Sequence, residues 1–334
     1  MLQLQNDTPF KAAIALLPDR AGIDTLYVIV KATVTIRPSL ALAKEQVAPA
    51  MADEYYGDPV MTSLRVVSDL HIGKPGTDVV LIGSAWAPDK EPVSRMQVFM
   101  SVSDRRKSIQ VSGNRVWMDG SPSSPQRFES MPLVWERAFG GLHRKGEKVL
   151  AEERNPVGCG FAGGRAASDV QGQPVPNLED PAAPLVKLGQ TPAPACLAPT
   201  SPSWLPRRGF AGTYDAAWQR GRAPYLPADF DPRYFQCAAP EFTFDRYLQT
   251  GERVDVQGVL PDGPISFAIP DARLNISVVV AGATEEPAVN LETLSIEPDE
   301  NRACFTWRAA VPCDRKALKV ERIVVTRTGP ENAT

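Results

Sequence analysis

Thirty-two prolines in 334 residues leave little room for helix. The usual share is ~5%, and a proline inside a helix removes a backbone donor and clashes with the preceding turn. Between residues 174 and 240 alone there are 13. The core of such a chain has to come from extended segments. "TLYVIVKATVTI", residues 25–36, is packed with β-branched and aromatic residues and carries no helix punctuation, so it reads as a long strand. "TSLRVV", "TDVVLIGSAW", "SRMQVFMSV" and "KSIQVSGNRVW" follow, separated by Gly, Pro, Asp and Ser clusters, in the manner of antiparallel neighbours. The pattern fades near residue 120. It resumes near 250 in "ERVDVQGVL", "GPISFAIP", "NISVVVA", "NLETLSI", "RACFTWRA" and "KVERIVVTRT".

The middle of the chain is rich in Pro, Gly, Arg and aromatics, and disordered segments are poor in aromatics. An ordered, loop-built lobe is therefore expected over residues 121–249. The fold expectation is a single, mainly β domain over 1–334, an antiparallel β-sandwich or distorted barrel. Its β body comes from 1–120 and 250–334, and the irregular Pro/Gly/aromatic-rich lobe is inserted between. Residues 181–203 lack aromatic anchors and are expected to be the loosest part.

Net charge is −3 with a pI near 5.6, so there is no overall basic field for nucleic acid or an anionic membrane. The five cysteines are odd in number and share no C-x-x-C spacing, which points to isolated buried thiols rather than disulfides. With only His71 and His143 to join them, no metal site is expected. "MLQLQNDTPF" has neither a basic n-region nor a long apolar run, and no stretch reaches the roughly 18 apolar residues of a membrane span. These features lead to the expectation of a soluble, reduced, cytoplasmic protein.

Catalytic signatures are thin. No phosphate-binding glycine loop and no G-x-S-x-G elbow occurs, so no cofactor is expected, and both histidines stand in turn-like contexts. Paired carboxylates in an aromatic-lined cleft, the requirement of a glycosidase, remain open.

Four stretches stand out. "KPGTDVVLIG" reads as a turn at Lys74 followed by a buried strand, with Asp78 bonding nearby backbone amides. "GNRVW" sends Arg115 and Trp117 to one side of a strand, where arginine stacks on tryptophan. In "MPLVWERAFGG", Trp135, Glu136, Arg137 and Phe139 precede Gly140 and Gly141. A structural corner held by a buried Glu136–Arg137 ion pair is the favoured reading, ahead of docking or catalysis. The ribbon "YDAAWQRGRAPYLPADFDPRYF", residues 214–235, alternates aromatics with charges. Its candidate partner-binding residues are Tyr214, Trp218, Arg220, Arg222, Tyr225, Asp229, Phe230 and Tyr234, the types that dominate interface hot spots.

These stretches, with "NDTPF", "VIVKATVTI", "NPVGCGF" (Asn155), "VPNLED" (Asn177), "WLPRR" and "LSIEPDENRACFTWR", resemble in order the blocks of a bacterial family designated domain of unknown function 2169. That family occurs beside type VI secretion genes, and the resemblance spans nearly the whole chain. It implies a non-enzymatic adaptor or chaperone that binds a secreted effector, often PAAR-like, and helps load it onto the VgrG spike. A carbohydrate-active enzyme and a structural component of the secretion machine are the alternatives. Effector choice would lie outside the shared blocks, in parts such as 38–60, 143–154 and 181–203.

Overall fold

Ten consecutive residues of the strand Asp24–Thr35, from Thr25 to Val34, are buried, so both of its faces are covered. The computed structural model describes residues 3–328, apart from the side chains of 315–317. Asp24–Thr35 lies between Lys11–Pro18 and Arg302–Pro312, antiparallel to both. Asn290–Glu297 pairs antiparallel with Arg302–Pro312, and Asp78–Leu81 completes the row. With Ala41–Leu42 on Asp24–Thr35, this makes a six-stranded sheet.

A five-stranded sheet runs in the order Leu178–Glu179, Arg105–Ser112, Arg95–Val102, Arg253–Gln257, Ile265–Ala268. A four-stranded sheet runs in the order Leu4–Asn6, Val320–Arg327, Leu274–Val280, Ala283–Glu285. All three sheets feed one hydrophobic core. Val28, Val30 and Phe305 come from the first, Val98, Met100 and Val254 from the second, Ile276 and Ile323 from the third.

The chain is thus mainly β, as expected. The sheets are open, which removes the barrel alternative. Three pairings depart from the antiparallel expectation: Asp78–Leu81 is parallel to Asn290–Glu297, Leu4–Asn6 to Val320–Arg327, and the short Phe139–Gly140 to Cys159–Gly160. Turn signals between successive strands describe only sequence neighbours, and these partners are remote in sequence.

Residues 121–249 do not stand apart. Ser130–Pro132 pairs with Ser84–Trp86, Leu178–Glu179 extends the five-stranded sheet, and Leu133, Trp135, Trp204, Phe242 and Phe244 join the main core. The α-helical segments, Ala167–Val170 and Ala216–Gly221, are one turn and little more. Residues 195–201, inside the stretch expected to be loosest, are buried instead. Small side chains allow this passage through the core, and the Leu197 carbonyl accepts from the Leu81 amide at 2.9 Å. No helix among the described residues is long and apolar enough to cross a membrane.

Leu81 is fully buried at the edge of the six-stranded sheet, whereas Val60 is 73% exposed. Leu81→Ala is expected to lower unfolding free energy in urea by about 2–5 kcal/mol. Val60→Ala should stay within about 0.5 kcal/mol of the parent. Equal effects would place Leu81 outside the core.

Candidate docking surface

Alternate residues of the central strands point away from the main core. On that second face Lys31 stands opposite Thr306, and Ile29 opposite Arg308. Lys31 and Arg308 are nonetheless buried, and a buried charge must be paired. Lys31 Nζ donates to Asp69 Oδ2 at 2.9 Å. Arg308 Nε donates to Glu292 Oε2 at 2.6 Å, and Nη2 donates to the Asp69 carbonyl at 2.6 Å. The register between Asn290–Glu297 and Arg302–Pro312 shifts between Leu291 and Thr293, the signature of a bulge, and Glu292 is the extra residue.

The third pair is Lys74–Asp78. Lys74 Nζ donates to Asp78 Oδ2 at 2.8 Å and to Thr293 Oγ1 at 2.9 Å. Burial alone would pull the Lys74 ammonium down, but Asp78, with Glu292 adding, raises it above the usual lysine value, so it stays charged. As expected, Asp78 starts a buried strand. The amide that reaches its carboxylate is not local but that of Cys237, at 2.7 Å. Burial pushes the thiols of Cys159, Cys196 and Cys237 up to about 12, which keeps them protonated.

His71 links this face to the surface. Burial, with the nearby cations of Arg308, Lys74 and Arg207, holds its imidazole well below the usual histidine value. Arg308 Nη2 lies 3.1 Å from His71 Nε2, and a guanidinium only donates, so Nε2 accepts and the ring is neutral. The ring stacks on Phe235 at 5.1 Å. Phe235 packs in turn against Phe230 and Tyr234, both at 5.5 Å, and Arg207 Nε donates to the Tyr234 carbonyl at 3.0 Å. These contacts fix the base of the aromatic ribbon.

The tip is held separately. Arg222 donates through Nε to the Leu226 carbonyl at 2.7 Å and through Nη2 to the Arg20 carbonyl at 2.5 Å. The Tyr225 ring lies over Gly22, where an added Cβ would meet it at 3.4 Å. Asp215 caps Ala216–Gly221 by accepting from the Trp218 amide at 2.8 Å. Trp218 Nε1 donates to the Tyr225 carbonyl at 2.8 Å, and Tyr214 meets Trp218 edge to face at 4.7 Å. Asp229 accepts from the Thr213 amide at 3.0 Å and hydroxyl at 2.7 Å, which lowers its pKa.

This placement sorts the candidate binding residues. Tyr214 and Tyr225 are 54% and 42% exposed. Arg220 is exposed without an ion-pair partner among the described residues, Asp229 is exposed, and Trp218 is half-buried. Phe230, 1% exposed, faces inward and offers no ring to a partner, while Tyr234 packs beside it and stays partly exposed. The Arg222 guanidinium is occupied by the Leu226 carbonyl of the ribbon and the Arg20 carbonyl outside it. Alternation of aromatics with charges marks the ribbon but not which side each aromatic takes.

The corner at "MPLVWERAFGG" is structural, but Glu136 and Arg137 are not paired with each other. They sit on the 3-10 turn Trp135–Arg137, whose tight winding sends adjacent side chains different ways. Glu136 accepts from the Ser63 amide at 2.8 Å and from the Ser63 hydroxyl. Arg137 Nη1 donates to the side-chain oxygen of Asn177 at 3.0 Å. Arg115 does not stack on Trp117. It pairs with Glu179 at 2.5 Å, because a buried guanidinium gains more from a carboxylate than from a ring, while Trp117 packs with Phe139, Val170, Val175 and Leu185. Asn155 Nδ2 donates to the carbonyls of Trp135 at 2.8 Å and Phe139 at 3.0 Å. Gly140 and Gly141 have φ of 156° and 114°, and a Cβ on Gly140 would strike the Asn155 carbonyl.

Lys31, Asp69, His71, Glu292, Arg308 and Arg20 hold the candidate surface but were not anticipated in that role. The available signal was a single charge inside an apolar strand run, Lys31 in "VIVKATV" and Arg308 in "CFTWRAA".

A family model described as an uncharacterized protein conserved in bacteria (DUF2169) matches residues 21–308. No curated protein and no solved structure matches the chain.

The folded pKa of His71 lies below its unfolded value, so the unfolded chain takes up the proton first as pH falls. The stability gained from neutral His71 is complete above about pH 6.5 and is lost below it. Urea unfolding between pH 7.5 and 5.5 should show a loss approaching about 1.4 kcal/mol per pH unit. His71→Gln, which keeps an acceptor, should remove that slope. An unchanged slope in the variant would assign it elsewhere.

Proposed function

The chain belongs to this uncharacterized bacterial family, and on that premise we propose that it is a non-enzymatic, cytoplasmic adaptor of the type VI secretion system. It binds an effector, one with a PAAR-like domain, and helps load it onto the VgrG spike. The observation that carries this reading is the ribbon 214–235, which is exposed yet fixed at both ends, by His71 and Arg207 at the base and by Arg20 and Gly22 at the tip. A surface held in place before binding loses less conformational entropy when a partner docks. Tyr214, Trp218, Arg220 and Tyr225 supply the residue types that carry most interface energy. The buried ion pairs Lys31–Asp69, Lys74–Asp78 and Arg308–Glu292, like Arg115–Glu179, are engaged within the fold, which supports a scaffolding role for those charges.

Trp218→Ala is expected to weaken effector binding by about 1–2 kcal/mol, measured by calorimetry with the effector encoded beside the gene, with the melting midpoint nearly unchanged. Arg222→Glu should lower both, because it releases the clamp on the Arg20 and Leu226 carbonyls. Deleting the gene should stop secretion of the effector but not of the tube protein. Loss of both would identify a structural component of the machine, and absence of effector binding by the parent chain would overturn the adaptor reading.

A further inference from the structure

A cavity of about 640 Å³ opens where the end of Val320–Arg327 and the segment 270–273 face the six-stranded sheet. Its volume lies within the roughly 300–1,000 Å³ range of small-molecule sites. The floor is aromatic. Trp307 is stacked between Phe10 at 6.3 Å and Phe305 at 5.8 Å, with interplanar angles of 23° and 19°. Ala32, Val34 and Leu40 extend the apolar wall.

Four charged side chains stand among the lining residues: Asp7, Asp271, Arg273 and Arg327. Arg273 Nε donates to Asp271 at 3.1 Å, and the Gln5 amide donates to Asp7 at 2.8 Å. Arg327 differs. Its Nε donates to the Ala272 carbonyl at 3.2 Å and its guanidinium lies 5.3 Å over the Phe10 ring. Neither of its terminal nitrogens has a hydrogen-bond or ion-pair partner among the described residues. A guanidinium with two free terminal nitrogens beside an apolar cavity suits a carboxylate, which it can hold by two parallel hydrogen bonds.

We propose that this cavity binds a small amphipathic carboxylate, with an aliphatic body on the Phe10–Trp307 floor, which Phe305 backs, and its carboxylate on Arg327. Two aspartates and two arginines cancel in formal charge at this site, so the selectivity comes from direct contact with Arg327 and not from a net positive field. Leu40–Leu42, Pro270–Arg273 and Arg327–Thr328, three separate segments, contribute to the lining. This site is independent of the adaptor reading and of the ribbon.

The probe is decanoate, titrated into the full chain by calorimetry below its micellar concentration, with decanol and the dipeptide N-acetyl-Leu-Leu as comparators. Saturable one-to-one binding of decanoate is expected, with a change in tryptophan fluorescence that Trp307→Phe removes. Arg327→Gln should weaken decanoate roughly tenfold or more while leaving decanol unchanged, and Arg327→Lys should fall between. Ala41→Trp, which adds a large ring to the lining, should abolish binding of both. Melting midpoints of all variants verify folding, and should Arg327→Gln fail to fold, Arg327→Lys carries the comparison. Absence of saturable binding, or equal weakening of decanoate and decanol in the folded Arg327 variant, would overturn the proposal. Tighter binding of the dipeptide than of decanoate would also overturn it, in favour of a protein C-terminus.

Discussion

Two adjacent strands, Asp24–Thr35 and Arg302–Pro312, are covered on both faces while carrying Lys31 and Arg308 on the side away from the main core. Their charges have no water to turn to, so the segments laid over that face have to supply carboxylates and carbonyls at hydrogen-bond distance. Asp69, His71 and the bulged Glu292 do so, and Lys74–Asp78 adds a third pair at the sheet edge. The paths of residues 66–78 and of the loops that return near 237 follow from this demand. Such pairs add little net stability over apolar packing, but removing one member strands the other, so they fix the arrangement of the segments they join.

The same network explains how a surface can be both exposed and ordered. A ribbon of short turns and proline has little secondary structure of its own to stiffen it. Here it is mounted on an aromatic cluster that rests on His71, itself held by Arg308 from the sheet. Its tip is clasped to the turn after Lys11–Pro18. Side chains such as Tyr214 and Tyr225 can then stay in water while their backbone is held by buried contacts. The corner at residues 135–141 performs a parallel task for the middle of the chain, joining stretches near 114, 155 and 177 through asparagine amides and the Arg115–Glu179 pair.

Most of the strand framework was legible in the sequence. The runs of β-branched and aromatic residues became strands at nearly the expected positions, and proline spacing correctly excluded long helices. The strand Lys11–Pro18 escaped notice because "KAAIALLP" is alanine- and leucine-rich rather than β-branched. The corner was recognised as a corner, but the adjacent Glu136 and Arg137 suggested a pair that the 3-10 turn does not permit. In the ribbon, Tyr214 and Tyr225 face outward as a docking role requires, whereas Phe230 turned inward and Arg222 became a clamp.

Residue pattern by itself determined which segments are extended and where apolar mass accumulates, because strand propensity and burial act on residues close in sequence. Only the tertiary structure decided which charge meets which partner. Lys31 and Asp69 are separated by 38 residues, and Arg308 and the Asp69 carbonyl by 239. Whether they meet depends on how the sheet is ordered and which loops cross its second face. A hydrogen bond needs its two atoms within about 3 Å, and no local spacing sets that distance across separate segments of the chain.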